Sequence, residues 1–196
     1  MTQTPICISG VARAGKDLFA AILIEQLNLL GHPAKRFALA DSLKRKVRPF
    51  LLELSGIDIL SCSPPDKELA RDLLVAVGKI KRYQSQGQYW TGLLEQEIIE
   101  SKIRFPVITD IRYDVFPEDE IYWAQKRLNG ILVHVTRYGE DGQPIAAPNM
   151  DEKTNDPRLR EKADYRVEWP TYINDDAGHD KATGHVIKFI EHILPA

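Results

Sequence analysis

The chain has 196 residues, of which 43% are hydrophobic and 28% are charged, and its formal net charge is −2. These values suit a single domain, 1–196, with a sizeable core, and the near-neutral balance argues against a nucleic-acid partner. No apolar run approaches the roughly 20 residues that cross a bilayer, and no signal-peptide pattern is present. We therefore expect a cytoplasmic protein with no membrane partner.

A phosphate-binding loop is predicted near the start of the chain. The apolar run 6–9 is followed by Gly-x-x-x-x-Gly-Lys, and a helix-like stretch begins at Lys16. The glycines let backbone N–H groups point inward, the helix adds the positive end of its dipole, and Lys16 adds a charge. The residues predicted to hold a polyphosphate are Gly10, Val11, Ala12, Arg13, Ala14, Gly15, Lys16 and Asp17. A glycine-rich turn without a ligand is the alternative.

Asp17 occupies the position at which a Ser or Thr hydroxyl normally holds Mg²⁺ after such a lysine. A carboxylate can hold Mg²⁺ directly or through water, although it also brings a negative charge close to the phosphates. The sequence therefore makes Asp17 a candidate metal ligand.

Helices and strands alternate along the rest of the chain. The strands predicted after the first one cover 35–40, 105–110, 131–136 and 164–169. The predicted helices cover 16–30, 66–79, 90–102, 118–129 and 181–194. One more helix is predicted after the second strand, where Asp41 caps its start and Pro49 ends or kinks it. The predicted connections cover 56–65, a polar and flexible 78–88, and a turn over 174–180. The segment 137–163 is polar, lacks periodicity and is predicted to be a lid.

This alternation predicts an α/β fold with a five-stranded parallel sheet and helices on both faces. Ligands bind at the carboxyl ends of the strands in such sheets. The loop, Asp41, Asp110 with Arg112, and Arg137 all follow predicted strands. Because four strand ends carry residues suited to phosphate or metal, we expect one site along this edge.

Several stretches of the sequence resemble the phage-type deoxynucleoside monophosphate kinases. The run 8–17 ends in Gly-Lys-Asp, as their loop does, and 38–44 is similar to their Ala-Asp-x-Leu-Lys stretch. Arg71 and Arg82, with Leu74, Gly78 and Tyr89-Trp90, are similar to their middle segment, and 107–113 resembles their Asp-Val-Arg-Phe block. That block continues to a glutamate, for which Glu118 and Glu120 are both candidates. The stretches 164–167 and 173–175 are similar to their final strand and turn.

The resemblance implies a P-loop kinase-type domain that transfers the γ-phosphoryl group of ATP to a deoxynucleoside monophosphate, with Mg²⁺. It implies a nucleoside-monophosphate-binding part at about 41–104 and a lid at about 137–163. It also implies the host cytoplasm if the protein is viral. The animal-type phosphomevalonate kinases share the Gly-Lys-Asp loop and are the alternative family.

Site roles follow from this resemblance and from residue chemistry. Lys16, Arg112 and Arg137 are predicted to be catalytic, and Asp17 and Asp110 to hold the metal. The predicted acceptor-binding residues are Asp41, Lys44, Arg71, Arg82, Trp90, Asp110 and Arg112. Arginine offers two-pronged bonds to phosphate, and either Trp90 or Tyr89 offers a surface for a base. Surface ion pairs are the alternative for the arginines, a plain helix cap for Asp41 and a core position for Trp90.

Two other classes of function stay open at this point. One is a nucleotide-driven switch, although a guanine-binding Asn-Lys-x-Asp motif is absent from the sequence. The other is a catalytically silent nucleotide-binding protein. A homodimer is compatible with the sequence, but the sequence determines neither the oligomeric state nor the base and sugar of the acceptor.

Overall fold

The structure is a computed structural model that describes residues 3–172 and 176–194. Five parallel strands form one sheet in the order β2-β3-β1-β4-β5. The strands are β1 (Ile6–Ser9), β2 (Ala34–Phe37), β3 (Phe105–Ile111), β4 (Ile131–Tyr138) and β5 (Tyr165–Pro170). The predicted α/β class with a five-stranded parallel sheet is therefore confirmed.

Helices connect the strands and cover both faces of the sheet. They are α1 (Lys16–Leu29), α2 (Leu39–Ser55), α3 (Pro64–Leu69), α4 (Arg71–Gln84), α5 (Gln88–Ser101), α6 (Glu120–Tyr122), α7 (Met150–Lys162) and α8 (Asp176–Ile193). A π-helical turn (Trp123–Arg127) continues α6. Within the described ranges, no helix combines the length and the apolar character that crossing a membrane requires.

The two faces of the sheet bury separate hydrophobic clusters. Successive side chains of a strand point to opposite faces, so Ile6 and Ile8 pack against α1 and α8 while Cys7 packs on the other side. Phe19 of α1 contacts Phe189 of α8 with ring centroids 5.7 Å apart. The opposite cluster contains side chains from α5, the π-helical turn and α7. A third cluster joins α2 to the start of α4.

The register of the central strand shows which residues meet at the carboxyl edge of the sheet. Ser9, the last residue of β1, lies opposite Ile111 of β3 and His134 of β4. The loop that follows Ser9 therefore begins beside the point at which the chain leaves β3. This explains why residues far apart in sequence meet at the carboxyl end of the sheet.

Several predicted boundaries are wrong. The strand predicted over 35–40 ends at Phe37, and α2 begins at Leu39, so that Asp41 lies inside its first turn and does not cap it. Pro49 lies inside α2 without ending it. The helix predicted over 66–79 is two helices, α3 and α4.

Three stretches predicted to be irregular contain helix. The polar stretch 78–88 was predicted to be flexible, yet α4 continues through it to Gln84 and α5 begins at Gln88. The lid segment contains α7, with Leu159 buried in the core. In the predicted turn over 174–180, residues 174 and 175 lie outside the described residues and 176–180 are helical. The division into a nucleotide-binding part at 41–104 and a lid at 137–163 stays a prediction.

Candidate functional site

The loop between β1 and α1 has the backbone that its glycines predict. Gly10 and Gly15 have φ values of 135° and 92°, which favour glycine. A Cβ on Gly10 would collide with the Val135 carbonyl oxygen, and one on Gly15 would lie 2.7 Å from the Trp169 ring. The Trp169 indole N–H donates to the Ala14 carbonyl oxygen over 2.9 Å. The strand β5 therefore fixes the loop from behind, and neither glycine tolerates a side chain.

Lys16 lies folded against its own loop. Its Nζ donates to the carbonyl oxygens of Gly10 and Val11, each over 2.7 Å, and the residue is buried. Burial lowers the pKa of the Lys16 ammonium to about 8, and the neighbouring Arg112 guanidinium lowers it further, while Glu152 opposes this effect. The lysine is thus held at the loop with a pKa close to physiological pH.

A carboxylate from α7 contacts the same loop. The Ala12 N–H donates to Glu152 Oε2 over 2.6 Å, and Arg112 Nη1 donates to Glu152 Oε1 over 2.9 Å. Glu152 is buried, so its charge is compensated by these donors. The sequence reasoning missed Glu152. The spacing of Asn149, which caps α7, and Glu152 three residues later is a recognised helix-start signal that could have indicated it.

Arg112 is held at the end of β3 through its backbone. Glu120 Oε2 accepts the N–H groups of Arg112 and Tyr113 over 2.6 and 3.0 Å. Burial raises the pKa of Glu120 to about 7, while the Arg82 guanidinium lowers it. Of the two acidic positions that the sequence left open, Glu120 makes this buried contact, and the exposed Glu118 accepts from Gln88.

Asp110 caps α2 from the neighbouring strand. Its two oxygens accept the N–H groups of Leu39 and Ala40 over 2.9 and 2.8 Å. Burial raises the pKa of Asp110, and these two bonds act in the opposite direction. The predicted cap, Asp41, instead pairs with Arg36 and Lys44 at 2.9 and 3.1 Å. The capping role therefore belongs to a residue about 70 positions further along the chain, which local spacing does not indicate.

A groove of about 560 Å³ runs past the loop and along α2 and α4. Its cationic lining residues are Arg13, Lys16, Arg36, Lys44, Lys67, Arg71, Lys79, Arg82 and Arg112, and its acidic ones are Asp17, Asp110 and Glu120. Leucine, valine and aromatic side chains complete the wall: Leu39, Leu43, Leu74, Val75, Trp90 and Tyr113. Within the described residues, six of these nine cations pair with carboxylates: Arg36, Lys44, Arg71, Lys79, Arg82 and Arg112. The groove therefore combines a partly compensated set of cations with an apolar wall.

The groove brings together most of the predicted acceptor residues, which differ in their burial and in their ion-pair partners. Arg71 is exposed and pairs with Glu68. Arg82 is buried and pairs with Asp119 and Glu120, and its guanidinium lies 3.9 Å from the centre of the Tyr113 ring. Lys44 and Asp110 also line the groove, and their roles, like those of both arginines, stay predictions.

Three other predicted residues are placed differently from expectation. Trp90 is buried, and its indole N–H donates to the Gly78 carbonyl oxygen over 3.1 Å, so only part of its ring is available to a ligand. Asp41 and Arg137 are not among the groove-lining residues. The Nε of Arg137 is buried without a hydrogen-bond partner in the part of the chain that the structure describes. Their predicted roles in acceptor binding and catalysis stay untested.

The described residues contain no group of three or more His, Cys, Asp or Glu side chains arranged to hold a metal ion. Asp17 lies exposed in the groove wall, and Asp110 uses its oxygens to cap α2. A magnesium ion held here would therefore take most of its ligands from phosphate and water, as this ion commonly does. The role of both residues stays a prediction.

Behind the loop, Ser9 Oγ lies 3.1 Å from His134 Nδ1, and His134 Nε2 lies 3.8 Å from Asp156 Oδ1. This resembles a nucleophile, base and acid in order, yet Ser9 and His134 are buried. Burial also lowers the pKa of His134 to about 4, so the imidazole is neutral. Because a substrate cannot reach the Ser9 hydroxyl, we interpret the three residues as packing beneath the loop.

No protein-family model and no curated protein matches the chain with significance. Among solved structures, shikimate kinase from Acinetobacter baumannii in complex with shikimate is 18% identical with a TM-score of 0.45, over 98% of this chain and 94% of that one. A structure described as a candidate kinase, from Chloroflexus aurantiacus J-10-fl, is 13% identical with a TM-score of 0.42, over 97% of each chain. Because the identities and TM-scores are this low, these two structures carry no conclusion about the substrate or the activity of this chain.

Proposed function

We propose that the chain is a kinase that transfers the γ-phosphoryl group of ATP to a deoxynucleoside monophosphate. The observation that carries this proposal is the groove, in which nine lysine and arginine side chains lie with three carboxylates. Two phosphorylated molecules repel each other, and fixed cations neutralise that repulsion and align the reacting groups. The apolar wall beside these cations suits the base and sugar of a nucleotide.

The loop is proposed to hold the donor. Its backbone N–H groups and the first turn of α1 would bind the phosphates, and Lys16 would turn from the Gly10 and Val11 carbonyls towards them. Mg²⁺ bound with ATP would neutralise phosphate charge, and Asp17 and Asp110 are the residues that would hold it. Asp17 suits this role because it is exposed in the groove wall.

The acceptor is proposed to lie between Arg112 and the α4 side of the groove. Its phosphate is already anionic at neutral pH, so the reaction needs no general base. Arg112 offers two parallel donors to that phosphate, and Arg71 and Lys44 add charge from the neighbouring helices. The apolar side chains Leu74 and Val75 would contact the nucleoside.

A small phosphorylated acid, as in the phosphomevalonate kinases, is the second candidate acceptor. Two observations favour it. Trp90 is mostly buried, and the Tyr113 ring is covered by the Arg82 guanidinium at 3.9 Å, so little aromatic surface is free for a base. Cations also outnumber aromatic side chains in the groove wall.

A coupled assay for ADP formation tests the proposal. ATP and Mg²⁺ are supplied with each ribonucleoside and deoxyribonucleoside monophosphate in turn, then with phosphomevalonate, and finally without an acceptor. We expect ADP formation above the acceptor-free rate with at least one deoxynucleotide. Turnover only with phosphomevalonate would move the assignment to the second candidate. ATP binding without turnover on any acceptor would contradict the kinase proposal and favour a silent nucleotide-binding protein.

Arg112→Lys should lower kcat/KM for the acceptor by the equivalent of about 1.5–3 kcal/mol, which is the scale of a charged hydrogen bond. Lysine keeps the charge but loses the two-pronged geometry that suits phosphate. The affinity for ATP should change little. Steady-state kinetics with each substrate varied in turn separates the two constants. A defect confined to ATP would place Arg112 on the donor side instead.

The affinity for ATP should fall as the pH rises above about 8. Burial lowers the pKa of Lys16 to about 8, so the unliganded protein loses this charge there, whereas bound phosphate favours the charged form. By linkage, the Kd for ATP should rise by up to about tenfold per pH unit over this range. Calorimetric titration between pH 6.5 and 9.5 measures it, and Lys16→Met should abolish the dependence. A flat profile in the unmodified protein would contradict the role of Lys16.

A further inference from the structure

We propose that Glu152 is an internal ligand of the phosphate-binding loop, which ATP must displace and whose departure frees Arg112 for the acceptor. The inference rests on the proposed function and adds a residue that sets the affinity for the donor. It begins from the position of one carboxylate: Oε2 lies 2.6 Å from the Ala12 nitrogen and Oε1 lies 2.9 Å from Arg112 Nη1.

The donors that hold Glu152 are of the kinds that hold a phosphate oxygen. One is a backbone N–H of the glycine-rich loop, and the other is a guanidinium N–H at the end of β3. A charged hydrogen bond from each makes the loop and Arg112 a single anion subsite. A phosphate and the Glu152 carboxylate cannot share it, because both are anionic and each needs the same Ala12 N–H.

A purely structural role does not explain where this side chain points. In a capping box, the glutamate three residues after the cap bonds back to the backbone N–H of the capping residue. Asn149 does cap α7 by accepting the Glu152 N–H over 2.9 Å. The Glu152 carboxylate, however, extends to the loop, and its only bond to the cap comes from the Asn149 side-chain amide at 3.2 Å. The helix start is therefore capped without the contact to Ala12.

The same turn of α7 holds a second cation of the groove. Asp151 Oδ2 lies 3.0 Å from Lys79 Nζ on α4, and both side chains are about half exposed. Together, Asp151 and Glu152 pair with two of the nine groove cations, Lys79 and Arg112. An anion that enters the groove competes with both contacts, and Arg112 is released at the moment when the donor occupies the loop.

The test measures ATP binding by calorimetry at about pH 6, where Lys16 stays charged in both proteins, without acceptor, in Mg²⁺ and again in EDTA. Glu152→Gln keeps the size of the side chain and removes its charge, so ATP no longer displaces a charged ligand. We expect Kd to fall about tenfold in both conditions, the scale of one charged hydrogen bond. Glu161→Gln is the control, because Glu161 lies exposed on the same helix and carries the same charge. Its Kd should equal that of the unmodified protein.

Unchanged or weaker ATP binding by Glu152→Gln, with normal turnover, would overturn the inference and leave the kinase proposal intact. A gain in both variants would also overturn it, because net charge alone would then explain the effect. Tighter ATP binding in Glu152→Gln alone, with no turnover by the unmodified protein on any acceptor, would support the internal ligand and overturn the kinase proposal. Circular dichroism and thermal unfolding of both variants establish that α7 remains folded.

Discussion

Replacing Arg82 by methionine should lower the free energy of unfolding by about 3–5 kcal/mol, the usual cost of removing one partner from a buried ion pair. The Arg82 guanidinium is buried between the carboxylates of Asp119 and Glu120. Both acids also hold backbone: Asp119 accepts from Val115 and Glu120 accepts from Arg112. The substitution leaves two buried carboxyl groups without their cation and loosens the strand end that carries Arg112.

The pH dependence of this loss distinguishes a charge effect from a packing effect. Burial already raises the pKa of Glu120 to about 7, and removing Arg82 raises it further. A carboxyl whose folded pKa is raised contributes stability that is lost as the pH rises through that pKa. The deficit of Arg82→Met should therefore be larger at pH 8 than at pH 6, as measured by urea unfolding. An equal deficit at both values would indicate lost packing instead.

Two further variants calibrate the Arg82 result. Arg82→Lys keeps a charge without the fork that reaches both acids, and it should lose less than methionine does. Arg45→Met breaks the exposed pair with Glu97, and it should cost under about 1 kcal/mol because solvent screens such pairs. If both methionine variants lose the same free energy of unfolding, the buried ion pairs of Arg82 stabilise the fold no more than the exposed pair does.

The buried network also shows why part of the fold escaped prediction. The stretch 78–88 has many polar residues, and its polarity predicted a flexible connection. Arg82 is nevertheless in the core, since its partners Asp119 and Glu120 arrive from 37 and 38 positions further along the chain. The pattern of a local sequence predicts that an arginine is exposed, because arginines are seldom buried without a partner. The partners of Arg82 are distant in the sequence, so its burial could not be predicted from the local pattern.

The sheet was predictable because its strands carry their own signal. The strand predicted over 105–110 begins with the apolar run 105–108, as expected of a parallel strand covered on both faces, and β3 occupies Phe105–Ile111. In contrast, α7 has almost no apolar stripe: Leu159 is its buried hydrophobic residue, and Pro157 lies inside it. A helix held mainly by polar contacts leaves no periodicity for the sequence to show.

The candidate site also has a part that could be predicted from the sequence and a part that could not. The loop was predictable since its residues are contiguous and each has a stated mechanical role. The carboxylate on the loop and the groove cations Arg36, Lys67 and Lys79 were not, because they come from α7, β2, α3 and α4. Cations dispersed along a sequence indicate an anion site only when the fold brings them to one surface.

Lys16→Met should lower kcat by at least about 100-fold while the protein stays folded. In the proposed reaction, the Lys16 ammonium stabilises charge that develops on the transferred phosphoryl group. Losing one preorganised donor of this kind costs about 10²–10³ in kcat. The aliphatic stem of methionine preserves the packing of this buried position. Single-turnover formation of ADP with saturating ATP and acceptor measures the effect on the chemical step.

The stability of the Lys16→Met variant should change little, in contrast to its kcat, so a loss of turnover cannot be attributed to unfolding. Burial lowers the pKa of the Lys16 ammonium to about 8, which means that the fold disfavours its charge at pH 7. The two bonds from Nζ to Gly10 and Val11 offset part of that cost. Lys16→Met should therefore unfold at a urea concentration close to that of the unmodified protein. Lys188→Met, at an exposed position on α8, should change neither property. Near-normal turnover in Lys16→Met would show that the loop does not bind the transferred phosphate through Lys16.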